Sequence, residues 1–148
     1  MPIVPTLEDV LERTCERIFP QLLEELAFAD AWSVLELDTS GKIFSSACDF
    51  DSPWDWSLVV EGSRACMLDI AAGYHSLPEE HMDDQFAEEF LLEICFRLCQ
   101  RLSSTIPGAP MPGVSYPRRF PMESPAWSRL FRVNENGGWM RIGIVPPL

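Results

Sequence analysis

The residues best able to do chemistry lie in one stretch, Asp83–Arg101, where Glu88, Glu89 and Glu93 share a helical pattern with the bulky apolar Leu92 and Phe96. An apolar patch beside carboxylates on a rigid helix offers a docking surface for a partner with a complementary face. The same two apolar residues could equally be covered by the 63–74 helix or the N-terminus. His75 and His81 stand near Glu79, Glu80, Asp83 and Asp84. Their spacing matches no established ligand pattern, so no metal site is expected. Cys95 and Cys99 are one helical turn apart with no histidine nearby, and they are expected to pack in the core. A G-x-S-x-G elbow, a Walker loop and a G-x-G-x-x-G turn are all missing, which leaves nucleophilic and phosphate-cradling chemistry without a motif.

Residues 7–28 are predicted as an amphipathic helix, with Thr6 as N-cap and Leu7, Val10, Leu11, Ile18, Leu22 and Leu26 at helical spacing. Pro20 is expected to kink or interrupt it near Phe19. Three strands follow, at 32–37, 42–48 and 55–61, with turns at 38–41 and around Pro53, and their order suggests an antiparallel meander. Ser63–Tyr74 is the second helix, capped by Ser63. Asp83–Ser104 is the third, with Ala87, Leu91, Ile94, Cys95, Leu98 and Leu102 facing the core and Glu89, Glu93, Arg97 and Gln100 facing away. Glu89–Glu93 is a like-charge pair that Glu93–Arg97 relieves. Strands are expected again at 114–120, 127–133 and 138–145, with Asn136-Gly137 as a hairpin turn. Pro112, Pro117, Pro121 and Pro125 should interrupt them. The whole is one α+β domain spanning 1–148, in the order helix, three strands, two helices, three strands, with an antiparallel-rich sheet packed against helices.

Composition narrows the function further. The 148 residues carry a net charge of −12, and residues 1–93 alone hold 21 acids against four bases. Such a chain repels phosphate backbones, which argues against nucleic-acid binding, and its acidic part could steer a basic partner. No apolar run approaches the ~20 residues of a membrane helix, and the first residues lack the pattern of a signal peptide. Cys15, Cys48, Cys66, Cys95 and Cys99 are odd in number and form no regular framework, as expected of a reducing compartment. A cytoplasmic protein without membrane insertion is the resulting expectation.

The element order and several strings resemble the CheX/CheC family of chemotaxis phosphatases over nearly the whole chain. Leu7–Leu26 resembles the family's opening helix, and Trp56-Ser57-Leu58-Val59-Val60 with the 63–74 helix resembles its strand entering paired helices. Val114-Ser115-Tyr116-Pro117-Arg118-Arg119-Phe120 resembles its post-helix strand, while Trp127–Val133, Gly137-Gly138 and Trp139–Val145 resemble its closing hairpin. The resemblance implies a partner, a phosphorylated CheY-type response regulator whose aspartyl phosphate is hydrolysed by in-line water attack. It also implies a helical motif of Asp, three residues, Glu, two residues, Asn. The Glu pairs with a regulator lysine, and the Asn orients the water. An apolar residue follows the family's Glu, which selects Glu89, followed by Phe90. Leu92 then occupies the Asn position and Gln85 the Asp position. A one-residue shift gives Asp84, Glu88 and Leu91, also without Asn. Leucine cannot hydrogen-bond a water, so the family mechanism does not operate here in its usual form.

Glu89 is therefore the candidate catalytic residue, with Glu88, Glu89, Leu92, Glu93 and Phe96 as partner-binding residues. No cofactor of its own is expected, since Mg2+ would belong to the regulator. A non-catalytic regulator-binding or dimerisation module on the same fold is the main alternative, and a homodimer through an uncovered sheet edge fits either reading. An acidic type III secretion chaperone is a further alternative, although that class usually ends in a helix and this chain ends in a strand.

Overall fold

The computed structural model describes residues 7–52, 54–119, 122–123, 125–135 and 138–146, with the side chains of Leu7 and Glu8 left aside. Three of the expected turn and cap positions, Thr6, Pro53 and Asn136-Gly137, lie outside the described residues, as does Pro121.

Helix α1 (Leu7–Ala27) runs through Pro20 without a break, contrary to the expected interruption. Proline removes one ladder hydrogen bond and costs about 3 kcal/mol in a helix interior. On either side of it Cys15, Ile18, Phe19, Leu22 and Leu23 are buried in the same core, and packing of this extent outweighs the local loss. The helix ends at Phe28, which takes a left-handed conformation (φ 55°) and donates its N–H to the Glu24 carbonyl at 3.0 Å.

Strands β1 (Ala31–Val34), β2 (Ile43–Phe50) and β3 (Trp56–Ser63) follow. The first is shorter than expected, since Leu35 is 93% exposed and lies beyond it. The meander is corrected to a single β2–β3 hairpin, with Ser46 opposite Val60. β1 instead crosses to the far edge and pairs antiparallel with β5 (Trp127–Val133), Ala31 opposite Val133. The pattern of alternation selects a strand but not its neighbour, because one buried face can be satisfied by either edge of a sheet. Phe50, Trp54 and Trp56 pack together at the hairpin tip, the two indoles stacked at 5.0 Å.

β3 leads directly into α2 (Arg64–His75), and Ser63 caps that helix by accepting from Cys66 N. A 3-10 turn at Glu79–His81 precedes α3 (Asp84–Thr105). The expected 114–120 strand shrinks to β4 (Tyr116–Pro117), which pairs with β2. Pro117 cannot donate to a ladder, which keeps β4 short and on an edge. β5 and β6 (Trp139–Val145) close the chain as an antiparallel pair. The six strands lie in the order β1-β5-β6-β3-β2-β4, all antiparallel.

The three helices share one core with the inner face of the sheet. Phe19, Leu58, Val60, Ile94, Leu98, Phe131, Met140 and Ile142 all belong to it. On the other face, among the described residues, Ala47, Val59 and Met122 form a small cluster and Trp139 is buried as well. Beside that cluster lies Glu61, fully buried, which accepts two hydrogen bonds from the Arg141 guanidinium at 2.7 and 3.1 Å and one from Met122 N at 2.7 Å.

Candidate docking and active site on helix α3

Helix α3 is fixed at its start. Asp83 caps it by accepting from Phe86 N at 3.0 Å. Asp84 pairs with Lys42 at 2.5 Å and Arg64 at 2.7 Å, which ties the helix to the starts of β2 and α2. Hydrogen bonds from Lys42 first and Arg64 second hold the Asp84 carboxyl below its ordinary range. The inner stripe of Ala87, Leu91, Ile94, Cys95, Leu98 and Leu102 is buried, as the periodicity predicts, and Phe90 and Cys99 are buried with it. Phe90 stacks on Tyr74 of α2 at 4.6 Å.

The predicted site residues do meet on one side of this helix. Gln85, Glu88 and Glu89 are exposed, whereas Leu92, Glu93 and Phe96 are half-buried. Glu93 bonds Arg97 at 2.5 Å across the expected i,i+4 spacing. Phe96 lines a shallow groove with Glu93, Arg97, Gln100, Arg101 and Ser104. Arg101 closes the lower end of α3 onto α1 through Glu25.

Two features escape the sequence reading. The first is the bond that Gln85, read from the sequence only as the occupant of the Asp position, makes through its carboxamide Nε2 to Glu89 Oε1 at 3.1 Å. A glutamine four residues before a carboxylate on a helix is the available signal. The second is the segment 109–115, which runs beside α3 in the opposite direction. Ser103 Oγ donates to Pro110 O at 2.5 Å and Ser115 Oγ to Leu92 O at 2.8 Å. Cys48 Sγ donates to Gly113 O, and Gly113 N to Asp49 O, both at 2.9 Å.

The other chemistry-bearing residues serve the scaffold. His75 meets Phe86 edge-on at 5.0 Å, and among the described residues no three His, Cys, Asp or Glu side chains are placed to hold a metal ion. All five cysteines are free and buried. Burial pushes the Cys15 thiol up to about 12 and raises Cys66 and Cys99 as well, which makes them poor nucleophiles. On the opposite sheet face, Asp49 Oδ1 accepts from Ser57 Oγ at 2.5 Å and Tyr116 OH at 2.8 Å inside an open concavity remote in the fold from Glu89. No described helix is long and apolar enough to cross a membrane.

No protein-family model matches the chain, and no curated protein does. Solved structures do. The chemotaxis protein CheX from Vibrio vulnificus is 10% identical, with a TM-score of 0.74 over 95% of this chain and 99% of that one. CheX in the CheX–CheY–BeF3–Mg complex from Borrelia burgdorferi is 10% identical, with a TM-score of 0.65 over 93% and 98%. FliY from Thermotoga maritima is 11% identical, with a TM-score of 0.64 over 97% and 92%. At this identity the likeness is one of architecture, three helices on one six-stranded antiparallel sheet along the whole length, and the chain has the fold of the CheX chemotaxis proteins.

Proposed function

We propose that this chain acts in chemotaxis-type signalling by docking a phosphorylated CheY-type response regulator on α3, with Glu89 as the carboxylate that meets a basic group beside the aspartyl phosphate. The observation that supports this most is the exposed trio Gln85, Glu88 and Glu89 on the fixed N-terminal half of α3, in a fold whose Borrelia relative was solved with CheY. Hydrolysis requires a water oxygen to attack phosphorus in line. The acyl phosphate P–O bond breaks, and the regulator's aspartate and inorganic phosphate are released. With leucine at position 92, the carboxamide nearest Glu89 is that of Gln85, and we assign it the water-orienting role. The second reading, a binding module without turnover, rests on Leu92 itself, which offers no hydrogen bond to a water.

The remaining expectations belong to the same proposal. The protein is cytoplasmic and needs no cofactor of its own, Mg2+ belonging to the regulator. Its charge of −12 disfavours nucleic acid. β1, an edge strand of Ala31-Trp32-Ser33-Val34 without charge or proline, supports a homodimer through a continued sheet. The test is loss of phosphate from a phosphorylated receiver domain with the purified protein present, with binding measured alongside. Acceleration that Glu89→Ala abolishes supports the enzyme, and binding without acceleration supports the module. The absence of both acceleration and binding across a panel of regulators overturns the proposal.

A further inference from the structure

The outward stripe of α3 continues past the candidate site. Leu92, Phe96 and Ser103, all half-buried, stand at i, i+4 and i+11 and so lie near one line of the helix surface, while Cys99 at i+7 is buried in the core beside them. Gln85, Glu88 and Glu89 extend that line by two turns toward the N-terminus. The 109–115 segment is laid beside the lower part of the line only, since its two anchors on α3 are Ser103 and the Leu92 carbonyl. Beyond Ser115 the chain leaves the helix and pairs with β2 as β4. The line is thus accompanied by the segment from Ser103 up to Leu92 and open above it, where the carboxylates stand.

The segment's outer surface has its own chemistry. Residues 103–117 contain no charged side chain, in a molecule of net charge −12. Val114 is 82% and Met111 77% exposed, yet the backbone between them is pinned to β2 through Gly113 and to α3 through Ser115. Both apolar side chains are therefore held out to solvent by a fixed backbone, which lowers the cost of ordering them on binding. Val114 adjoins Ser115, whose hydroxyl donates to the Leu92 carbonyl about one helical turn from Glu88 and Glu89.

We infer that the 109–115 segment is the second half of the docking surface, with Val114 and Met111 as apolar contacts that the phosphorylated receiver domain covers while its basic group meets Glu88 and Glu89. This rests on the proposed function, because it names how the same partner is held. Charge complementarity favours that occupant. A basic group is drawn to Glu88 and Glu89, and an apolar rim beside it finds the uncharged 109–115 segment.

The test uses the full chain and a receiver domain carrying beryllofluoride and Mg2+. Val114→Glu places a charge in the covered contact and should weaken binding roughly tenfold or more, with Met111→Glu having a smaller effect. Both sites are exposed, so the denaturation midpoint should stay where it is. Leu35→Glu, at the opposite end of the sheet, should bind as the wild type does. Wild-type binding with Val114→Glu equally tight overturns the inference and leaves the proposed function standing. No wild-type binding overturns both. A change in self-association without a change in receiver binding assigns the segment to a second copy of the chain, and overturns the inference in that way.

Discussion

Gln85 and Glu89 stand one turn apart on α3, and the Gln85 amide nitrogen donates to the Glu89 carboxylate at 3.1 Å. The bond fixes two side chains that would otherwise wander on an exposed helix surface. It also leaves the Gln85 carbonyl oxygen able to accept from a water beside the carboxylate. Glu89→Ala should weaken receiver binding by tenfold or more, the effect of losing a charge-assisted contact of about 1.5–3 kcal/mol. Gln85→Ala should leave binding within about threefold and lower the rate of phosphate loss. Equal rates for Gln85→Ala and the wild type in single-turnover measurements would remove Gln85 from the mechanism.

Leu92→Asn installs an amide one turn from Glu89 on α3, and the structure makes this a clean substitution. Ser115 bonds the backbone carbonyl of residue 92 and not its side chain, so the anchor of the 109–115 segment survives. The leucine is half-buried, and its loss should cost about 1 kcal/mol of stability. The expected result is a gain in phosphate release from a bound receiver. No gain, with binding intact, would mean that residue 92 does not face the phosphate and that the Glu89 frame is misplaced.

Much of the scaffold was legible in the sequence because periodicity reports burial directly. The α3 core stripe, the Ser63 cap and the β5–β6 pairing follow from spacing and cap chemistry, whereas Asp83, read as the first residue of α3, is its N-cap. Long-range choices did not. Nothing local in Ala31-Trp32-Ser33-Val34 distinguishes β5 from β2 as its neighbour, and Pro20 carries a breaker signal that only the buried Phe19 and Leu22 around it override. At the site, the Glu cluster was legible from the helix phase. The 109–115 segment was not, since an irregular chain held by Ser103, Ser115 and Gly113 has no period to find.

Glu61 is fully buried on the sheet face away from the helices, where Arg141 and Met122 N occupy its oxygens. Arg141→Met should strand that carboxylate and cost about 3–5 kcal/mol. Adding Glu61→Gln, which keeps an acceptor for Met122 N and removes the charge, should recover most of the loss. A urea series on the two variants measures this. A small loss for Arg141→Met alone would show that solvent reaches Glu61 and that Met122 does not seal the face.

The Asp84 ion pairs with Lys42 and Arg64 hold the turn that carries Gln85 and Glu89, and they set a pH window. The folded-state carboxyl is depressed by its two cationic partners. The stability it contributes is therefore present above its unfolded value, about 3.9, and is lost as pH falls through the lower folded one. Asp84→Asn should destabilise at pH 7, and the difference should shrink as pH falls below about 3.9, where the unfolded carboxyl takes up its proton before the depressed folded one does. Raised salt should narrow the gap at pH 7, because both cations are about half exposed. The measurement is the urea midpoint of the two proteins at each pH. A gap that is the same at pH 3 and pH 7 would mean that Asp84 acts through the helix start and its backbone rather than through Lys42 and Arg64.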